Sequence, residues 1–564
     1  MRSLRVAPNI VAAPTATVTE SEPNDTTTQA DLVTLGDTAA GTIDPAADVD
    51  VYAVDLSAGT IVSLDVFAAQ GGSQLDPVLV LVGPDSVTAV SFNDDFNGLD
   101  SHIEYTVDAT GRYFVLIGDF DSGGGPGFTY TLAFGTLPPG PGDLTTLYAT
   151  GLGAPYQVAA GPAGELYVAD VDSLRVLKVA PNGQVTVFAP FPGDFPIGVV
   201  VDGQGDILVS TVDTNFVAGR IVRISGGVRS TFASDLQSGG VMTVGPNGDV
   251  WVIDPVAALL RHYDPVGGSK GTVSLAALNN VDFDMGLAFS PAGDLYVSSA
   301  FDAIYKIVNG LPQIVYQGDP FLEGIAFDKD GYLYVSNGFL GRVILLDPNL
   351  QVVNDPFART HLGGPTQIAF LRDAGGAMTS RLLADNVGFN LVPPYVGGLV
   401  EMNPAGMRAV GFRVGIDLLR IVNAILKNGT AGGDYADTLR LASAPGAATW
   451  SLYSGVLPPG LVLAADGQLT GIPSQAGAFP FAVRVDAAGQ FGVRGYTVTI
   501  TAPTVSVDAA SQHLLGGTPL DLTTQRYLDL QGNKNGRFDV GDFRAYLRAN
   551  GQLPATAVAG KEQP

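Results

Sequence analysis

Three groups of residues in this 564-residue chain carry side chains that could do chemistry. The first is acidic. Glu20, Glu22, Asn24 and Asp25 lie within one short segment, and Asp48 and Asp50 stand at the start of a β-type run. Their oxygens are hard donors, and an opening segment folded over that run would aim them at one Ca²⁺. The competing reading is a solvated acidic linker. The second group is near the C-terminus. A calcium loop takes oxygen ligands at positions one, three, five, nine and twelve, a backbone carbonyl at seven, and Gly at six for a sharp turn. With Gly536 at six, Gln531, Asn533, Asn535, Asp539 and Asp542 fall on the side-chain positions, and Arg537 supplies the carbonyl. Gln531 stands where Asp is expected, and Asp529 comes two residues early. The competing reading is a helix–turn–helix closed by Asn side-chain turns, without metal. The third group is scattered. Glu323, Asn337, Asp170, Asp254 and Asn386 lie near strand ends, where carboxylates and amides could converge around a metal. Ser210 and Ser299 occupy comparable places, and Asp and Asn are ordinary turn residues there.

Much other chemistry is excluded. The four histidines, His102, His262, His361 and His513, show no metal-ligand spacing. There is no Cys, hence no disulfide framework and no thiolate nucleophile. No Gly-x-Ser-x-Gly elbow and no phosphate-binding glycine loop is present. A net charge of −26 argues against nucleic acid and anionic lipid as partners, and suits divalent cations. No apolar run is long enough to span a membrane. Residues 1–19 begin basic (Arg2, Arg5) and turn apolar, interrupted by Pro8, Asn9 and Pro14; they read as a cryptic or truncated signal.

The elements that must position these groups are mainly β. The chain is too long for one core, and its 72 Gly and 37 Pro suit turn-rich sheets. Residues 20–135 show short β-type runs separated by turn residues, as in a β-sandwich, and 136–142 read as a stiff linker. Residues 143–404 contain a repeat: Gly164-Glu-Leu-Tyr-Val-Ala-Asp170, Gly205-Asp-Ile-Leu-Val-Ser210, Gly248-Asp-Val-Trp-Val-Ile-Asp254, Gly293-Asp-Leu-Tyr-Val-Ser-Ser299 and Gly331-Tyr-Leu-Tyr-Val-Ser-Asn337. A degenerate sixth copy runs from Gln367 through Leu383 to Met402. A period near ~40 residues with several strands each predicts a six-bladed β-propeller. Tyr167, Trp251, Tyr296 and Tyr334 recur at one position, as packing between blades requires. In the connecting segment 405–430, Ile416, Leu419, Val422 and Leu426 fall near helical spacing, with an edge strand as the alternative. Residues 431–501 return to strands, with a hairpin signal at Asp466-Gly467. Residues 502–550 predict three short helices, and 551–564 a disordered tail.

Several motifs carry resemblances. Glu20-Ser-Glu-Pro-Asn-Asp-Thr26, Gly41-Thr-Ile43, Asp48-Val-Asp-Val-Tyr52, Gly111-Arg-Tyr-Phe-Val-Leu116 and Phe128-Thr-Tyr-Thr-Leu132 resemble the bacterial pre-peptidase C-terminal domain. That resemblance implies an accessory module of secreted proteins, with relatives that bind calcium through the acidic opening segment. The blade motifs resemble NHL-repeat and gluconolactonase-like propellers. Trp450-Ser-Leu-Tyr-Ser-Gly455, Leu457-Pro-Pro-Gly-Leu461 and Asp466-Gly-Gln-Leu-Thr-Gly-Ile-Pro473 resemble an Ig-type module of bacterial surface proteins, which implies a spacer or adhesive unit. The loop Gln531–Asp542 looks like a dockerin or EF-hand loop; dockerins carry two such loops, and one is found here. Together these imply a secreted or cell-surface binding or assembly protein that uses Ca²⁺. An extracellular protein, a polysaccharide or another copy of the chain would be its partner. The alternatives are a metal-dependent lactonase-like hydrolase or polysaccharide lyase, and a structural subunit of an extracellular filament or matrix.

Overall fold

The computed structural model describes residues 16–94, 99–140, 142, 146–278, 280–299, 303–318, 321–338, 340–359, 362, 364–386, 397–402 and 419–553. Most of the signal-like segment 1–19, the helical-spacing residue Ile416, His361 and most of the tail therefore lie outside the described residues. What is described is mainly β, in several units, with three short helices.

The first unit is a sandwich of two five-stranded sheets. One contains, in spatial order, Thr17–Thr19, Thr38–Thr42, Thr129–Thr136, Ile61–Phe67 and His102–Thr106. The other contains Asp31–Val33, Val49–Leu56, Gly111–Asp119, Pro77–Val82 and Ala89–Asn93. Successive side chains on a strand point to opposite faces. Tyr52, Val54 and Leu56 therefore enter the core with Val62, Leu64 and Val66 of the facing sheet, while Val51 and Ala53 pack on the other side with Phe114.

The second unit is a ring of six four-stranded blades. In five of them spatial order follows chain order. Their innermost strands are Pro155–Ala160, Asp194–Val201, Met242–Val244, Leu287–Phe289 and Leu322–Phe327. The second strands carry the repeated motif. The sixth blade joins both ends of the unit: Ile368–Arg372, Met378–Asn386 and Gly397–Met402 pair in turn, and Thr146–Leu152 completes the sheet by pairing with Gly397–Met402. That last pairing closes the ring. Buried apolar clusters lie between adjacent blades. The recurrent aromatics sit there too: Trp251 meets Phe289 of the next blade edge-on at 6.2 Å, and Tyr334 meets Phe370 at 5.6 Å.

A buried serine stitches each of three blades to its successor. Ser210 Oγ accepts from Gly198 N at 2.9 Å and donates to Gly240 O at 2.5 Å. Ser298 does the same with Gly286 N and Glu323 O, and Ser336 donates to Thr366 O. Glycine on the innermost strand allows this approach, since a Cβ on Gly286 would lie 2.2 Å from the Glu323 carbonyl oxygen. By strand register Ser210 lies one residue before the place equivalent to Asp170, which Thr211 fills.

The helical spacing across 405–430 is not realised in its described part. Leu419, Ile421 and Leu426 are buried in the core of the third unit, and Val422 is exposed. Ile421 bridges to Leu441, and Val422 N donates to Arg440 O. Tertiary burial of alternate residues outweighs the local periodicity. The unit continues to Thr501 as a four-stranded and a three-stranded sheet, with Trp450 buried between them. Asp466-Gly467 turns the hairpin between Leu461–Leu463 and Gln468–Gly471.

Three helices follow: α1 (Val507–Leu514), α2 (Leu522–Gln531) and α3 (Val540–Ala549). Ser506 caps α1, and Asp521 caps α2.

The units touch through charged side chains. Arg494 donates to Asp206 of the second blade at 2.7 Å and to Ile421 O at 2.7 Å. Arg359 of the fifth blade donates to Glu104 of the sandwich at 3.1 Å. Ser210→Ala is expected to lower stability by about 1–3 kcal/mol, because it leaves Gly198 N and Gly240 O buried without their partner. Urea denaturation followed by tryptophan fluorescence checks this.

Candidate metal centre and channel mouth

The opening segment does fold over the start of Val49–Leu56, because Val51 N donates to Asn24 O at 3.1 Å. Carboxylate oxygens of Glu20, Glu22 and Asp50 come within 4.8 Å of one another, as do those of Glu22, Asp25 and Asp48. Glu22 belongs to both trios, so the two groups adjoin and draw five acids from two segments together. Asn24 and Asp50 are fully buried, and Asn24 Oδ1 and Asp50 Oδ1 have no hydrogen-bond partner. A buried acceptor without a donor is costly, and a hard cation would satisfy it. These residues therefore fit an oxygen-liganded divalent ion.

Neighbouring groups hold the site in place. Glu20 Oε1 accepts from Thr42 N at 2.8 Å. Tyr130 Oη donates to Asp50 Oδ2 at 2.5 Å and lies 2.7 Å from Tyr52 Oη. Asp31 accepts from Ser21 N and Oγ, which ties down the opening segment. Gly41 leaves room for this arrangement, since a Cβ there would lie 2.3 Å from Glu20 Oε2. Tyr130, Tyr52 and Asp31 were not singled out from sequence. The available signal was the alternation of Phe128-Thr-Tyr-Thr-Leu132, which points Tyr130 inward with a hydroxyl that needs a partner. Burial, followed by the neighbouring Glu20, pushes Asp50 up to about 8. Burial and the charges of Asp48 and Asp50 also raise Glu22.

The C-terminal loop differs. Asp542 Oδ1 accepts from Asn533 N at 2.6 Å, and its Oδ2 from Asp539 N at 2.9 Å. Asp539 accepts from the side-chain amides of Asn533 and Asn535. Asn535 Oδ1 accepts from Arg537 N. Asp539 and Asp542 together form the capping box of α3. Among the described residues no three carboxylates of this loop converge as they do in the sandwich. Gln531 ends α2, and its amide donates to Ser474 O of the preceding unit at 2.8 Å. Asp529 instead faces the loop, accepting from Gly536 N at 3.2 Å.

The scattered propeller residues do not meet as a set. Asp254 accepts from Gln237 N, Ser238 N and Arg261 Nε. Asp170 Oδ2 accepts from Arg175 Nε at 2.8 Å while its buried Oδ1 has no hydrogen-bond partner, and Asn337 Oδ1 accepts from Leu340 N. Glu323 has no cationic partner at all among the described residues. It lies within the innermost strand of the fifth blade, is buried, and its Oε2 has no hydrogen-bond partner. Asp385 of the sixth blade is buried too. Its Oδ1 accepts from Thr366 N and Gln367 N, while its Oδ2 has no partner. Asp282 and Asp284 lead into the fourth blade, and Tyr156 Oη donates to Asp284 from the first blade. Burial, followed by Asp284, Asp385 and Asp282, holds Glu323 well above the usual carboxylate range.

Below this mouth, amides cross the channel. Gln157 accepts from Val199 N and donates to Met242 O, and Gln367 donates to Met285 O. Beyond them lies a cavity of about 110 Å³, lined largely by apolar residues such as Val158, Val200, Leu287 and Ile325.

The described histidines are structural. His102 bonds Asp65 at 2.6 Å. Burial opposes its charge, but Asp65 and Glu104 outweigh that and raise its pKa to about 9. His262 stacks on Trp251 and bonds Asp249, and His513 accepts from Leu520 N.

Residues 48–118 match the family model for the bacterial pre-peptidase C-terminal domain. No curated protein matches the chain. The chain is similar in structure to a gluconolactonase from Xanthomonas campestris (20% identity, TM-score 0.36, 46% of this chain and 89% of that one). It is also similar to an aldose sugar dehydrogenase from Streptomyces coelicolor in its PQQ-bound form (17%, 0.37, 47% and 100%). A third is a calcium-binding protein, regucalcin, from Agrobacterium tumefaciens (16%, 0.34, 48% and 95%). Identities at this level say nothing of substrate. Among the described residues no helix is long and apolar enough to cross a membrane.

The raised carboxyl of Asp50 fixes a pH dependence. Without metal the folded chain holds a proton there that the unfolded chain releases near 3.8. The contribution is full below that value and is lost as pH rises through about 8. In EDTA the melting temperature of the sandwich is expected to fall between those limits, and Asp50→Asn to flatten that fall. Calorimetric melts across the pH range check this.

Proposed function

We propose that this is a secreted or cell-surface binding protein in which the metal and ligand roles are separated. Ca²⁺ sits in the sandwich, held by Glu20, Glu22, Asp25, Asp48 and Asp50 with the side-chain oxygen Asn24 Oδ1. Bound there, it would neutralise clustered charge and pin the opening segment to the strand Val49–Leu56. The propeller presents its channel mouth as the platform for a ligand. The observation that carries this reading is a contrast between two acidic clusters. The sandwich acids converge at ion-binding distance, and no three carboxylates of the propeller do so among the described residues. The C-terminal helices dock on the preceding unit through Arg526–Asp434 and Gln531–Ser474, as a spacer or attachment module would.

A metal-dependent hydrolase is the second reading, favoured by the unpartnered buried carboxyl of Glu323. Of its expected companions, Asp254 and Asn337 are held by backbone donors and Asp170 pairs with Arg175 through one oxygen, and binding is the preferred reading.

Calcium titration by calorimetry separates the two. One Ca²⁺ equivalent is expected to bind the full chain, with affinity reduced at least about tenfold in Glu22→Gln, since ligand charge sets affinity in such sites. Glu323→Gln is expected to leave it unchanged. The reverse pattern would move the metal to the propeller and the hydrolase reading to first place.

A further inference from the structure

Asp282, Asp284, Glu323 and Asp385 gather where the innermost strands of the fourth, fifth and sixth blades begin. The backbone holds them close: Gly286 packs against the Glu323 carbonyl, and Gly324 N donates to Thr366 O beside the residues that Asp385 fixes. None of the four acids has a Lys, Arg or His partner among the described residues. This is unusual for buried carboxyls, which are ordinarily paired. Two of them, Glu323 and Asp385, are more than nine-tenths buried and each keeps an oxygen without any donor.

Three phenylalanines border the same mouth. Phe283 stands between Asp282 and Asp284 in the chain. Phe216, half exposed, stacks on Phe195 at 5.3 Å and meets Phe283 edge-on at 6.2 Å. The mouth therefore offers unpaired carboxyls beside aromatic faces. A monatomic ion would need three oxygens within one coordination sphere, and these carboxyls do not provide that. A larger cation can span them. Its ammonium hydrogens would reach the carboxylates, while its apolar part lies on the phenylalanine faces.

Building on the reading of the mouth as a ligand platform, we propose that it binds a small organic ammonium ion bearing an apolar group, seated between Asp282, Asp284 and Glu323 and against Phe216 and Phe283. Tyr156 orients the Asp284 carboxylate from the opposite side of the ring. A bound cation favours the ionised carboxyl, so binding releases a proton and tightens as pH rises.

The test is calorimetry on the full chain with phenethylammonium chloride, its neutral isostere 2-phenylethanol, and calcium chloride. Phenethylammonium is expected to bind with a heat that varies with buffer ionisation enthalpy, as proton release requires. The neutral isostere is expected to bind at least about tenfold more weakly, as loss of a charge-assisted bond implies. Glu323→Gln is expected to weaken the ammonium at least about tenfold, and the exposed Phe216→Ala about threefold, with unchanged melting temperatures. Equal binding of the two aryl compounds would overturn the ammonium inference and leave the platform reading standing. Absence of binding by both would overturn the ammonium inference. Calcium binding that is lost in Glu323→Gln would overturn both the inference and the platform reading.

Discussion

Closure of the propeller ring is the constraint on which the channel mouth depends. A single four-stranded blade has two apolar faces and cannot bury either alone. The pairing of Thr146–Leu152 with Gly397–Met402 supplies the last contact and fixes six innermost strands around one axis. Their first residues are then forced together in a space where water is scarce. Glu323 and Asp385, about 200 Å of extended chain apart, become neighbours where the fifth and sixth blades pack against each other. The same closure brings Gln157 and Gln367 across the channel to bond Met242 and Met285. Gln157 also lines the cavity beneath the acidic mouth.

The sandwich solves a different problem with similar residues. Its acids sit on two segments near in sequence, and one backbone bond, Val51 N to Asn24 O, brings those segments together. Two adjoining carboxylate trios and a buried amide then lie together, and their mutual repulsion is what a divalent cation would relieve. In the propeller the acids come from three blades whose spacing is set by strand packing, so they remain further apart. On the proposed reading, one unit takes a metal ion and the other a ligand with its own size and shape.

The blade motifs were legible because each second strand repeats a Gly-turn and an apolar-aromatic pattern that packing between blades demands. The opening acidic segment was legible because its residues are close in sequence. The closing strand was not, since Thr146–Leu152 pairs with residues at the far end of the unit and carries no local mark. The mouth was only partly legible. Glu323 could be picked out as a carboxyl beside a glycine at a strand start, whereas Asp282, Asp284, Asp385 and Tyr156 gain meaning only from the ring. Asp170, Asp254 and Asn337 looked comparable, but a strand-end Asp or Asn meets its own turn before it meets the axis. Spacing counted from Gly536 could not show that α2 runs through Gln531 or that Asp529 reaches the loop.

Hydrogen–deuterium exchange of the full chain, with and without Ca²⁺, tests the separation of metal and ligand roles most directly. Protection is expected to rise in residues 20–26 and 48–52, where the metal would pin the opening segment, with residues 282–286, 322–325 and 529–542 unchanged. Protection that rises instead around Glu323 and Asp284 would contradict it and place the metal in the propeller.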